Sequence, residues 1–150
     1  MNRAFLTVLV SLAALARLWA ADFQPSTLAL GSPAPDFSLP GVDARIHTLK
    51  DFAAARILVV VFTCNHCPTA QYYEPRLKQL AADYKDRGVA VVAIMPNDPK
   101  SVRLDELGWT DLSDSFEEMK TRARDRQFNF PYLYDGDTEA AARAYLAQPD

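Results

Sequence analysis

Cys64-Asn65-His66-Cys67 holds both cysteines of the 150-residue chain. Two thiols at this spacing can close a disulfide or work as a dithiol/disulfide couple. Their neighbours narrow the choice. Attached haem needs a histidine directly after the second cysteine, and Pro68 stands there. Structural zinc needs four ligands, and there is no second cysteine pair. A purely structural disulfide would close a very short loop and constrain the unfolded chain little. His66, as imidazolium, would stabilise a neighbouring thiolate, favour the dithiol and make the couple more oxidising, unless it is only a solvated loop residue. A copper reading uses similar atoms, with Cys64, His66 and Cys67 as ligands for Cu(I). The other histidine, His47, reads as a surface residue of a hairpin.

The flanking pattern says how such a motif would be held. Ile57-Leu58-Val59-Val60-Val61-Phe62 is continuously apolar and β-branched, as a central parallel strand covered on both faces would be. Val89–Met95 is a second such run. Between them Tyr73, Leu77, Leu80, Ala81 and Tyr84 recur at spacings of three and four, which predicts one apolar helix face. Arg76, Lys78, Asp83 and Lys85 take the other face, and Gly88 is a natural left-handed stop. Strand, helix and strand make one right-handed βαβ unit. Cys64 then lies just past the carboxyl end of a parallel strand, where reactive groups of open α/β sheets collect. Cys67 and Pro68 open the helix, and Pro68 has no N–H to lose there. The partial positive charge of the helix start favours a thiolate. These placements assign Cys64 as the attacking sulfur and Cys67 as the thiol that resolves a mixed disulfide.

Around this unit, residues 26–40 are proline-rich and irregular, with a short edge strand at Phe37-Ser38-Leu39. His47-Thr48-Leu49 pairs with it across a turn at Gly41-Val42-Asp43-Ala44. Asp114 and Glu117 resemble a capping box for a helix reaching about Arg126, with Phe116, Met119, Lys120 and Ala123 on one face. Pro131-Tyr132-Leu133-Tyr134 is β-prone, Asp135-Gly136-Asp137 a turn, and residues 138–145 a short alanine-rich helix. The methionines read as core fillers.

Residues 1–20 read as a secretory signal. Arg3 begins it, an apolar run too short to span a bilayer follows, and cleavage is expected near Ala20 or Ala21. The expected product is exported, without a membrane anchor, into a periplasmic or extracellular oxidising compartment. A net charge of -3 excludes a strongly basic nucleic-acid binder. Without Arg3 and Arg17 the remainder is more acidic still, which disfavours an anionic membrane surface. Hydrophobic residues at 49% and charged residues at 23% indicate a globular domain rather than disorder.

Four segments together resemble the redoxin, or AhpC/TSA, branch of the thioredoxin superfamily. They are Ala34-Pro35-Asp36-Phe37-Ser38-Leu39-Pro40, Leu49-Lys50-Asp51-Phe52, Phe62-Thr63-Cys64-Asn65-His66-Cys67-Pro68-Thr69 and Phe128-Asn129-Phe130-Pro131-Tyr132-Leu133-Tyr134-Asp135. The resemblance runs over residues 27–145. It implies a thioredoxin-like α/β fold with an N-terminal hairpin, filling residues 27–150. It implies thiol–disulfide exchange without a bound cofactor, through a Cys64–Cys67 couple tuned by Asn65, His66 and Pro68. The partners implied are protein thiols and disulfides and an upstream redox protein. Peroxidase activity is the enzymatic alternative, but relatives with it carry a proline seven residues, and a Thr or Ser three residues, before the reactive cysteine. Counting back from Cys67 meets Val60 and Cys64, and from Cys64 meets Ile57 and Val61. Many exported relatives have Glu where this chain has Ala70, so proton transfer must use water, Gln71 or another group. Ala44 and Ala54 stand where glycine is common. The family continues into a cis-proline loop, a β-hairpin and a last helix, whereas this chain ends at Ala147-Gln148-Pro149-Asp150. The expectation is therefore a truncated member, active or an inactive fragment.

Overall fold

The computed structural model describes residues 26–100 and 112–147. The signal reading of residues 1–20 and the proline at 149 lie outside them. β1 (Ser38–Pro40) and β2 (Ile46–Thr48) form an antiparallel hairpin with Leu39 opposite His47. A 3-10 turn, Leu49–Phe52, leads into β3 (Ile57–Phe62). Then follow α1 (Pro68–Tyr84), β4 (Val89–Met95), α2 (Phe116–Asp125), β5 (Tyr132–Tyr134) and α3 (Ala140–Ala144).

β3, β4 and β5 make one parallel sheet in that order, with Phe62 beside Ile94 and Ala93 beside Tyr132. The hairpin is tied to β5, where the Val42 N–H donates to the Tyr132 carbonyl at 3.0 Å. β4 is central and its side chains alternate between two cores, as the period of two requires. Val92 and Ile94 face Phe37, Leu39, Leu133 and Ala141. Val91, Ala93 and Met95 face Met119, Phe130 and Tyr132, with Leu77, Leu80 and Ala81 of α1 packed behind. Burial on both faces explains why these strands read as unbroken apolar runs.

Both βαβ strands, the intervening helix and the Gly88 stop (φ 77°) follow the sequence pattern. Three readings need correction. First, β3 is not central: among the described residues it is the sheet's edge, and Ile57 is exposed. Second, Tyr73 and Tyr84 are exposed on α1 and leave the apolar face to Leu77, Leu80 and Ala81. Arg76 stacks over the Tyr72 and Tyr73 rings and Arg87 over Tyr84, so cations rather than the core cover these aromatics.

Third, His47 is buried rather than on the surface. Its Nε2 lies 3.0 Å from both carboxylate oxygens of Asp43. Burial alone would raise the Asp43 pKa, but the hydrogen bonds from His47 and from the Arg45 and Asp43 backbone, with the His47 charge, together outweigh it and hold the carboxyl below its ordinary 3.8. The ring packs so close to Gly41 that a Cβ there would sit 2.8 Å from His47 Cδ2, so the turn needs glycine at that position. Ala44 takes φ 62° in this turn, a left-handed conformation that glycine adopts at lower cost. Ala54 has no such need, since it is absent from the positive-φ residues.

α1 and α2 are clamped by a buried ion pair. Arg122 Nε donates to Glu74 Oε1 at 2.7 Å, and the two side chains are 6% and 9% exposed.

Candidate active site

β3 ends at Phe62, and the Thr63 N–H still donates to the Ile94 carbonyl at 2.9 Å, holding the chain on the sheet up to Cys64. Cys64 packs against the core on the α1 side. Three residues on, Cys67 is the N-cap of α1 with extended backbone (φ -70°, ψ 122°), and Pro68 is the first helical residue. Both cysteines are half-buried. The motif therefore lies at the carboxyl end of a parallel strand and at the start of a 17-residue helix, as its spacing predicts.

The two residues between the cysteines are not loose. Asn65 is fully buried and every polar group it has is engaged. Its N–H donates to Asp114 Oδ1 at 2.7 Å, and its Nδ2 donates to the Ser113 carbonyl at 2.8 Å. Its Oδ1 accepts from the Tyr132 hydroxyl at 3.1 Å, and its carbonyl accepts from Gln71 Nε2 at 2.8 Å. One side chain thus joins the motif to the segment before α2 and to β5. Burial pushes the Tyr132 pKa well above the ordinary 10.0, and the nearby Asp114 and Cys64 add to it. Tyr132 therefore stays a phenol and a donor.

Asp114 is the centre of this network. It is fully buried, and four donors meet its carboxylate. Oδ1 accepts from the Asn65 N–H and, at 3.3 Å, from the His66 N–H. Oδ2 accepts from Asn97 Nδ2 at 2.9 Å and lies 2.7 Å from His66 Nδ1. Donors on both oxygens are what makes a buried carboxylate tolerable. The capping-box reading of Asp114 and Glu117 is thus one residue out of register. Ser115 is the N-cap of α2: its Oγ accepts from the Glu118 N–H and donates to Glu118 Oε2 at 2.8 Å. Ser113 Oγ also donates to that carboxylate. Burial would raise the Glu118 pKa, but these hydroxyls outweigh it and bring it below 4.5.

His66 is not a solvated loop residue, since its side chain is 11% exposed and its Nδ1 is held by Asp114. Because the carboxylate can only accept, Nδ1 carries the hydrogen, and Nε2 is the lone-pair nitrogen of the neutral ring. Ligating atoms of Cys64, His66 and Asp114 lie within 4.8 Å of one another. This donor set does not fit a cation well: Asp114 already has four donors and would have to give some up to bind a metal.

Sequence reasoning placed Cys64, Asn65, His66, Cys67 and Pro68 together. It missed Asp114, Asn97, Ser113 and Tyr132 as their partners. Asn97 had a readable signal, because it stands two residues past β4, as Cys64 stands two residues past β3.

Comparison with known proteins agrees with this geometry. The model of the AhpC/TSA family matches residues 30–150. Thiol-disulfide oxidoreductase ResA of Geobacillus thermodenitrificans is 30% identical over 95 residues, covering 62% of this chain and 54% of that protein. The chain thus spans about half the length of the curated relatives it matches. A conserved protein from Geobacillus kaustophilus, of known structure, is 38% identical with a TM-score of 0.69 over 80% of this chain and 59% of that one. A thiol-disulfide oxidoreductase from Bacteroides fragilis shares the fold at 19% identity, with a TM-score of 0.59 over 79% of this chain and 77% of that one. The architecture is thioredoxin-like. No helix among the described residues is long and apolar enough to cross a membrane.

Proposed function

This chain belongs to the AhpC/TSA family, and from that premise we propose that it exchanges thiols and disulfides with other proteins through Cys64 and Cys67. The observation that carries the reading is the placement of the pair, with Cys64 past the end of β3 and Cys67 capping α1. A thiolate there gains from the unpaired N–H groups of the helix start. In the reductive direction Cys64 attacks a substrate disulfide and forms a mixed disulfide, releasing one substrate thiol. Cys67 then attacks Cys64 Sγ, closes the Cys64–Cys67 disulfide and releases the second thiol. An upstream redox protein returns the dithiol. The work is placed outside the cytoplasm, on the reading of residues 1–20 as an export signal.

Insulin-disulfide reduction with dithiothreitol, run on the whole chain and on Cys64→Ser and Cys67→Ser, tests the reading. The unaltered chain is expected to accelerate the reaction, and both variants to lose that acceleration. Cys67→Ser should accumulate a mixed disulfide on Cys64 that mass spectrometry detects. A mixed disulfide only on Cys67 of Cys64→Ser would reverse the two roles. No acceleration by the folded, unaltered chain would remove the activity.

A further inference from the structure

We propose that Asp114 is a positioning residue that fixes the His66 ring beside Cys64, so that His66 exchanges the proton of the attacking thiol through Nε2. The inference deepens the reading above and rests on its choice of Cys64 as the attacking sulfur. Three observations carry it. Asp114 reaches the motif three times, at the Asn65 N–H, the His66 N–H and His66 Nδ1. Two of these contacts hold the backbone of the motif and the third holds the ring, so both position and orientation of the imidazole are set. Ligating atoms of Cys64, His66 and Asp114 come within 4.8 Å of one another, so Asp114, His66 and Cys64 form one array. Asn97 Nδ2 donates at 2.9 Å to Oδ2, the same carboxylate oxygen that holds the ring.

The tautomer follows from this array. Asp114 accepts the Nδ1 hydrogen, which leaves a lone pair on Nε2 of the neutral ring. The Cys64 thiol can pass its proton there through one bridging water, giving a thiolate and an imidazolium whose charge Asp114 opposes. The thiolate attacks the substrate disulfide: a Cys64–substrate S–S bond forms, the substrate S–S bond breaks, and the leaving sulfur departs as thiolate. The imidazolium proton neutralises that leaving thiolate, and His66 returns to its neutral form. The dithiol loses two electrons overall and the substrate disulfide gains them. Among the described residues, Cys67 lies at the α1 N-cap, and Tyr132 of β5 feels the charges of Cys64, Asp114, Glu74 and Arg122. Tyr132 remains a phenol that donates to Asn65, and Glu74 is matched by Arg122, so neither competes with His66 for the proton.

The test measures the alkylation rate of Cys64 by iodoacetamide in the reduced whole chain, across pH 6 to 9, with labelled peptides resolved by mass spectrometry. His66→Ala and Asp114→Asn should each react about tenfold more slowly near pH 7, with the rate profile displaced to higher pH by about one unit. Adding Asp114→Asn to His66→Ala should cost little more, because the carboxylate acts through the ring. Free imidazole should restore part of the His66→Ala rate. Nitrogen NMR of the unaltered protein gives a readout that needs no variant: neutral His66 should carry its hydrogen on Nδ1. A neutral ring protonated on Nε2 would overturn the proposal. So would an Asp114→Asn effect of equal size with and without His66, which would make Asp114 merely structural. Equal labelling of both cysteines in the unaltered chain would instead count against the choice of Cys64, and is read separately.

Discussion

The ion pair between α1 and α2 allows a sharp test of what holds the two halves of the site together. α1 carries Cys67 at its N-cap, and α2 begins directly after Asp114 and Ser115. Glu74→Met would leave the Arg122 guanidinium buried without its counter-ion, and such losses cost about 3–5 kcal/mol. That is a large share of the roughly 5–15 kcal/mol that holds a domain folded. Arg122→Met should cost less, for two reasons visible in the structure. The Glu74 carboxylate would keep Arg126 Nε at 3.9 Å, and a buried Arg122 Nη2 that finds no hydrogen-bond partner among the described residues would be removed. The double variant replaces both charges with thioethers of similar volume and should return to within about 1 kcal/mol of the unaltered protein, because desolvation of the pair disappears with its attraction. The coupling between the sites should therefore be at least about 2 kcal/mol. Urea unfolding followed by circular dichroism would measure all four forms. A double variant as unstable as Glu74→Met alone would refute the reasoning, since the cost would then lie in packing rather than in an orphaned charge.

Three further outcomes are expected. His66→Pro should make the Cys64–Cys67 couple more reducing, by roughly 30 mV if the imidazolium contributes about 1.4 kcal/mol to the dithiol form, as titration against glutathione would show. Ala44→Gly should raise stability by up to about 1 kcal/mol in a thermal melt, because relief of the left-handed strain at φ 62° exceeds the extra backbone entropy of glycine. Glu118 has a folded pKa below 4.5, so its contribution is present above that value and is lost as the pH falls through the depressed folded value. Urea unfolding between pH 3 and 7 should show a steeper acid loss for the unaltered chain than for Glu118→Gln.

The parts of the fold that were legible in the sequence are those set by local pattern. Unbroken apolar runs gave β3 and β4 their bounds, and Pro68 and Gly88 marked where α1 starts and where its continuation stops. Edge and centre were not legible, since a strand's neighbours are chosen by tertiary packing. Tyr73 and Tyr84 kept the helical period yet face outward, because arginines stack on them. His47 looked like a hairpin surface residue, but its partner Asp43 and the close approach of Gly41 bury it. In the site, the cysteine spacing identified the motif at once. Asp114 could not be found in that way: it lies 48 residues beyond His66, and its own neighbourhood reads as an ordinary helix start.

The contacts of Asn65 have a consequence for the order of events in folding. Its partners Ser113, Asp114 and Tyr132 lie 48, 49 and 67 residues further along the chain. During synthesis the four-residue motif is therefore finished long before the groups that orient it exist. Closing loops of that length carries an entropy cost that is repaid only when α2 and β5 dock on β4. On the proposed reading, Cys64 until then reacts as an ordinary thiol in a peptide, without the aligned ring or the ordered helix start. The local chain carries both cysteines, and completion of the tertiary structure brings up the groups that surround them.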